Sequence, residues 1–215
     1  MQIYYEDSEI IVCEKPYGVD CEKGMIALIK EERGAESFPV HRLDIKTTGV
    51  MAFAKTRESA AYLSSHMDDF SKEYLALCHG ELDGCGEMRD YLYHDKRQNK
   101  SFAVNTKRNG AKEAILHFST QGKGIYKGKE LTLVKIKLIT GRTHQIRAQL
   151  SKRGCVLYGD GKYGAKDNDK IALHAFKLSF NHPKTKERLE FISLPTSESF
   201  LAFYEQIAKI PNPLN

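Results

Sequence analysis

The sequence predicts an α+β fold, with a mixed, largely antiparallel central sheet flanked by helices and loops. Three observations carry this reading. Short apolar, β-branched runs recur between turn-forming residues. Segments with helical spacing are few and do not alternate regularly with the strands. No Pro- or Ser-rich linker, low-complexity tract or internal repeat divides the 215 residues, so residues 1–215 are read as one domain.

In chain order, Ile3-Tyr4-Tyr5 and Ile10-Ile11-Val12-Cys13 flank Asp7-Ser8 as a hairpin, which Pro16 and Gly18 close off. Val50 to Ala54 reads as a strand. Thr56 is a suitable N-cap, and Ala60, Leu63, Met67 and Phe70 recur on one face of a helix. Tyr74–Cys78, Ala114–Phe118 and Leu131–Ile139 are further strands; in the last, Lys135 and Lys137 interleave with Val134, Ile136 and Leu138, and Gly122, Gly124 and Gly128 mark the loop before it. A short helix follows, with Thr143 as cap and Gly154 as terminator. Strands over Leu173–Phe180 and Leu189–Ile192 precede a C-terminal helix from Ser197 to Ala208.

Lys and Arg total 33 against 28 Asp and Glu, a net charge of +5, which favours a polyanionic partner without demanding one. The five cysteines form no CxxC pair and no Cys/His cluster at zinc-ligand spacing, so no metal is expected and free thiols in a reducing cytoplasm are. The N-terminal segment lacks a basic stretch followed by an apolar one, and no run is long enough to span a bilayer. A cytoplasmic protein that does not engage a membrane is the expectation. Without coiled-coil heptads, a monomer is expected.

Three polar stretches could carry chemistry. Pro39 to Gly49 (PVHRLDIKTTG) is a loop between hydrophobic elements, the usual place for a site. Asp44 offers a nucleophile or an acid–base group, Thr47 and Thr48 would hold the loop, and Gly49 would allow close backbone approach. The plainer alternative is that Asp44 caps a turn or pairs with Arg42. Thr140 to Arg147 (TGRTHQIR) sets two arginines and a histidine at a helix start, suited to an anion or, more plainly, to a surface ion-pair cluster. In Ser71-Lys72-Glu73-Tyr74, Tyr74 could stack on a base and take part in proton transfer, or simply pack across strands.

His41–Gly49, Ser71–Ala76, Gly141–Arg147 and Leu173-His174-Ala175, in that order, resemble the signature segments of the RluA-type pseudouridine synthases. The likeness takes in Ile3–Asp7 with Glu14-Lys15-Pro16, Tyr158-Gly159-Asp160 through Tyr163-Gly164, and Asn181-His182-Pro183, and so covers nearly the whole chain. Thr48 stands where the family commonly has Ser, the stretch from Gly18 to His41 is short, and no N-terminal S4-like RNA-binding domain is expected.

The resemblance implies an active-site cleft and an enzyme that detaches uracil from its ribose, rotates it and rejoins it through carbon, with neither metal nor organic cofactor. Asp44 matches the essential aspartate, Arg147 the arginine that pairs with it and keeps it charged, and Tyr74 the active-site aromatic. Leu173 matches an apolar wall of the pocket. Arg42 matches a residue near the gap left by the extruded nucleotide, or else a phosphate clamp or salt bridge. Substrate or RNA contacts are expected at His41, Thr47, Thr48, Lys72, Arg142, Thr143, His144 and Gln145. His144 reads equally well as a hydrogen-bond partner behind the site. Lys96, Arg97 and Lys100, beside Tyr93, suit RNA backbone contact or a merely solvated loop.

The implied partner is ribosomal or transfer RNA. Whether Asp44 attacks the sugar, attacks the ring or stabilises charge is left open by residue identity. Two rival readings remain in view. An aspartyl-phosphate loop would need its Asp at the end of a hydrophobic strand and Mg²⁺ held by further carboxylates, which Phe38–Arg42 and the surrounding sequence do not provide. A non-catalytic RNA-binding protein on the same scaffold would not need Asp44, Tyr74 and Arg147 together.

Overall fold

Asp7 turns the chain as the sequence suggests: its Oδ1 accepts the backbone N–H groups of Glu9 and Ile10 at 2.7 and 2.8 Å. Strands β1 (Ile3–Glu6) and β2 (Ile10–Lys15) therefore pair antiparallel around it. The computed structural model describes residues 1–107 and 110–210. Its contacts resolve two compact units, each made of two stretches of chain: Met1–Glu73 with His174–Pro195, and Tyr74–Leu173 with the residues from Thr196 onward.

In the first unit, β2 lies antiparallel to β4 (Thr48–Ala54), from Ile10↔Ala54 to Lys15↔Gly49. The two-residue β3 (Phe38–Pro39) pairs with the far end of β4. Strand β10 (Leu173–Asn181) runs parallel to β4 at His174↔Thr48 and Ala175↔Gly49, and antiparallel to β11 (Arg188–Ile192). Ile10, Val12, Val50, Ala52, Ala54, Leu178 and Phe180 alternate along these strands and form one core with Leu63. The intervening Ile11, Cys13, Met51 and Phe53 are fully buried as well, so both faces of these strands are covered.

Leu63 belongs to α2 (Arg57–Ser65), capped as expected by Thr56, whose Oγ1 accepts the Ser59 N–H at 3.1 Å. The helix stops at Ser65, and Met67 falls in a following 3-10 turn, so Met67 and Phe70 do not continue its face. An additional helix, α1 (Lys23–Arg33), escaped the sequence reading because only Met25 and Ile29 are buried in an otherwise polar segment. Asp20 starts it by accepting the N–H groups of Glu22, Lys23 and Gly24. Gly34, at φ +64°, ends it.

The second unit carries strands in the order β5-β9-β8-β6-β7. These are β5 (Ser71–Cys78, entering the unit at Tyr74), β6 (Cys85–Asp95), β7 (Lys100–Val104), β8 (Lys112–Tyr126) and β9 (Lys129–Leu138). The glycine-marked loop is corrected: β8 runs on through Gly122 and Gly124 and turns only at Lys127-Gly128. Gly122 sits at a bulge, and a side chain on Gly124 would come within 2.9 Å of the Phe203 ring. Fully buried Phe203 also breaks the expected C-terminal helix into α4 (Glu198–Leu201) and α5 (Tyr204–Ala208). Helix α3 (Gln145–Lys152) begins one residue later than expected; His144 precedes it in a left-handed conformation, and no side chain caps it, so Thr143 is not the cap.

Strand pairing is mostly antiparallel, with β10 parallel to β4, and five α-helices accompany it among the described residues, as expected for an α+β fold. None of the helices is long and apolar enough to cross a membrane. All five cysteines are free thiols.

Gly49 has φ +114°, and a Cβ there would collide with the Ala175 carbonyl oxygen and lie 2.7 Å from its amide nitrogen. The expected close backbone approach is thus the parallel β4–β10 contact itself. Gly49→Ala should lower unfolding free energy by ~3 kcal/mol or more, through combined φ strain and backbone collision. Urea denaturation monitored by circular dichroism measures this directly.

Candidate active site

The loop carrying Asp44 is held chiefly through its backbone. Cys21 Sγ accepts the Leu43 N–H and donates to the Leu43 carbonyl, each at 3.1 Å. The Thr47 N–H closes a turn on the Asp44 carbonyl at 2.9 Å. The Ile45 carbonyl accepts from the Gly18 N–H at 2.9 Å and from Lys15 Nζ at 3.0 Å. Lys15 is fully buried and also donates to the Pro16 carbonyl at 2.9 Å. Burial pulls its pKa down to about 8, opposed by the neighbouring Cys21 and Asp44. Asp44 itself is half-buried, while Arg42, Ile45 and Lys46 project into solvent. The nearest ion-pair contact of Arg42 is a loose one, 3.9 Å from exposed Glu22.

Three residues of this unit expected at the RNA are buried or bonded within the fold. His41 is buried, its Nε2 accepts the Ala52 N–H at 3.1 Å, and its ring lies 5.8 Å from that of Phe70. Burial, then the charge of Lys72, lowers its pKa to about 3. Thr47 is buried. Thr48 gives its hydroxyl to His174 Nδ1 at 2.7 Å, while His174 Nε2 donates to the Ser193 carbonyl at 2.9 Å. That network assigns the Nε2–H tautomer, and burial lowers the His174 pKa to about 4. Lys72 lies over the Phe70 ring at 5.3 Å, its pKa pulled down to about 8 by burial.

In the second unit, α3 is polar in sequence yet buried from Gln145 through Leu150. Its polar side chains are placed against fixed partners. Arg147 grips Asp160 through two parallel bonds, Nε to Oδ2 at 2.7 Å and Nη2 to Oδ1 at 2.8 Å, with both side chains buried. Tyr163 lies against the same guanidinium, 5.0 Å from its ring centre. The Tyr163 hydroxyl accepts the Ser101 N–H, donates to the Ser101 carbonyl and meets His144 Nδ1 at 3.2 Å, so His144 carries its proton on Nδ1.

Gln145, expected at the substrate, folds its own loop: Oε1 accepts from Thr140 Oγ1 and the Arg142 N–H, and Nε2 donates to the Ile115 carbonyl. Arg142 and Thr143 are exposed, and Arg142 Nε donates to the Glu113 carbonyl. Tyr74 and Leu173 are buried at the starts of their strand segments. Lys96 and Arg97 are exposed, and Lys100 half-buried, on a β6–β7 hairpin.

Asp160 and Tyr163 had no role assigned from sequence, although both stand in segments of the resemblance; a polar pair in a Gly-rich loop gives no periodic signal. A surface depression of about 290 Å³ lined by Glu9, Glu58, Ser59, Tyr62, Pro183 and Lys184 contains none of the residues expected at the catalytic or RNA-binding site.

Residues 9–152 match the family model described as RNA pseudouridylate synthase, more than half of the chain. The chain belongs to this family, a group of isomerases acting on uridine in RNA. It is 31% identical to an uncharacterized RNA pseudouridine synthase, YlyB, of Bacillus subtilis (strain 168), over 97% of this chain and 73% of that protein. It is 34% identical to the ribosomal large subunit pseudouridine synthase C of Haemophilus influenzae, over 88% of this chain but 64% of that protein's length. In fold it is similar to the solved structure of human RNA pseudouridylate synthase domain containing 1, with TM-score 0.79 and 22% identity over 99% of this chain and 96% of that one.

Two expected outcomes follow from the buried charges. Asp160→Asn breaks the buried two-bond ion pair with the Arg147 guanidinium and should cost about 3–5 kcal/mol in unfolding free energy. Thermal and urea melts of the variant measure it. His41 and His174 are neutral when folded and protonate near pH 6.5 once unfolded, so the unfolded chain binds more protons below that pH. Their stabilising effect is complete above pH 6.5 and is lost as pH falls toward 4, by on the order of 1 kcal/mol per pH unit for each histidine. Urea midpoints should drop across that window, and His174→Gln should make the drop shallower.

Proposed function

We propose that this chain isomerises uridine to pseudouridine in ribosomal or transfer RNA, with Asp44 as the catalytic carboxylate. The observation that carries the reading is the Asp44 loop, whose backbone is tied down at Leu43, Asp44 and Ile45 while Arg42, Ile45 and Lys46 stay exposed. A carboxylate on a rigid support keeps its geometry as substrate arrives, which lowers the reorganisation needed in the reaction.

In this reading the target nucleotide leaves its stack, since its reacting atoms are inaccessible within one. Arg42 stands near the gap, and Leu173 offers an apolar wall. Asp44 takes part in breaking the glycosidic bond and in re-forming the link through carbon. Tyr74 contacts the base and assists proton removal, and Arg147 serves as the arginine that keeps the catalytic carboxylate charged. Lys72, Arg142, Thr143 and His144 line the approach of the RNA. Neither metal nor organic cofactor is required.

Relatives named for both RNA classes support leaving the target class at two: the large-subunit synthase C of H. influenzae, and a tRNA pseudouridine synthase C of Haemophilus ducreyi, 29% identical over 90% of each chain. We further propose that the protein acts as a cytoplasmic monomer.

Asp44→Ala should abolish pseudouridine formation while leaving RNA affinity within several-fold, because affinity rests on many phosphate contacts. Pseudouridine mapping of RNA from cells lacking the gene, incubated with each purified protein with and without EDTA, reads this out. Wild-type activity should persist in EDTA. Equal yield from the variant refutes the role of Asp44, and no yield from wild type favours a purely RNA-binding protein.

A further inference from the structure

The β6–β7 hairpin pairs Tyr93 directly with Phe102, and Asp95 with Lys100. Side chains directly opposite one another in an antiparallel pair share a face, so the two aromatics stand side by side. Both are exposed, at 44% and 38%, whereas Leu92 and Ser101 on the other face are buried. Two adjacent rings held open to solvent contribute little to any core.

The surroundings suit a polyanion. Lys96, Arg97 and Lys100 lie in the same hairpin, with Lys100 Nζ 5.4 Å over the Phe102 ring. Between Tyr93 and Phe102 the only acid is Asp95. Its carboxylate is taken up by the turn: Oδ1 accepts the N–H groups of Arg97 and Gln98, and Oδ2 accepts from Gln98 Nε2.

The hairpin is also stiff. Lys162 Nζ donates to the Gln98 and Asn99 carbonyls at 3.3 and 3.1 Å, and Ser101 is bonded through both backbone groups to the Tyr163 hydroxyl. A surface already ordered loses little conformational entropy on binding. Tyr163 further joins the hairpin to Arg147, since Lys100 Nζ and the Arg147 guanidinium each lie 5.0 Å from its ring centre.

We propose that Tyr93 and Phe102 form a stacking platform for unpaired bases of the RNA substrate, with Lys96, Arg97 and Lys100 neutralising the adjacent phosphates. This deepens the proposed function and rests on its RNA substrate. Aromatic rings stack on any base face, so the platform favours single-stranded or loop segments over continuous duplex. A protein partner would find a cationic rim with no free acid at its centre.

The test measures binding of unmodified total RNA from cells lacking the gene, across a salt series, and pseudouridine yield in the same samples. Tyr93→Ala with Phe102→Ala should weaken binding about tenfold or more and leave the slope of log affinity against log salt unchanged. Lys96→Ala with Arg97→Ala should instead flatten that slope by about one to two units. Tyr93→Phe with Phe102→Tyr should bind as wild type, which separates stacking from damage to the fold, as do matching thermal melts.

Binding of the double alanine variant within twofold of wild type overturns the platform, whatever the pseudouridine yield. A tenfold loss that vanishes when a fully base-paired RNA duplex is the probe supports it; an equal loss on duplex overturns it. Wild type that binds in this way yet forms no pseudouridine leaves the platform standing and removes the catalytic reading.

Discussion

The fully buried ammonium of Lys15, bound to the carbonyls of Pro16 and Ile45, is the constraint from which the Asp44 loop takes its shape. A loop normally satisfies its backbone with water, which leaves it free to move. Here a charged group removed from water meets that need from inside, and two carbonyls are fixed at once. Losing the lysine would take this donor from the Pro16 carbonyl and leave the Ile45 carbonyl with the Gly18 N–H alone, while losing the carbonyls would leave a charge uncompensated. The arrangement holds because each side needs the other. Its depressed pKa, about 8, records the cost of keeping that charge inside.

The same logic recurs on the strand that follows. Gly49 brings β4 against β10, and that contact sets Thr48 against His174 and, through it, Ser193. A short run of chain thus passes from a lysine clamp to a glycine contact to a neutral histidine relay. Each is directional or steric, so the loop has few ways to relax other than by breaking one of them. His41 adds a further tie by accepting the Ala52 N–H, leaving its Nδ1 without a protein partner among the described residues. Such a buried donor costs about 1–3 kcal/mol unless water satisfies it, and the surrounding ties must outweigh that.

What the sequence disclosed follows the kind of signal each element leaves. Short apolar runs made β2, β4 and β8 visible, alternation made β9 visible, and Thr56 announced α2, because those patterns are local. Helix α3 showed its start but not its burial: Gln145, Arg147 and Gln149 look like a wet face, and only long-range partners at Ile115, Asp160, Met88 and Asp90 make a dry one. The break at Phe203 was hidden for the same reason, since it depends on the space left by Gly124. Within the candidate site, the segment around Asp44 was legible as a crowded polar loop. That His41, Thr48 and Gln145 turn inward was not, because a side chain that binds substrate and one that binds backbone have the same composition.

The inward turn of these groups bears on how charge is used. The net charge of +5 sums two populations with different duties. Lys15, Lys72 and Arg147 are largely withdrawn from solvent and bound to carbonyls, an aromatic ring or a carboxylate, so salt in the medium scarcely reaches them. Arg42, Lys46, Lys96, Arg97 and Arg142 are exposed, and screening acts on them in full. If those exposed cations hold the RNA as proposed, ionic strength tunes that hold without disturbing the geometry that Lys15 and Asp160 maintain. A protein organised in this way can release a long polyanion through weakened surface contacts while the carboxylate loop stays in place for the next one.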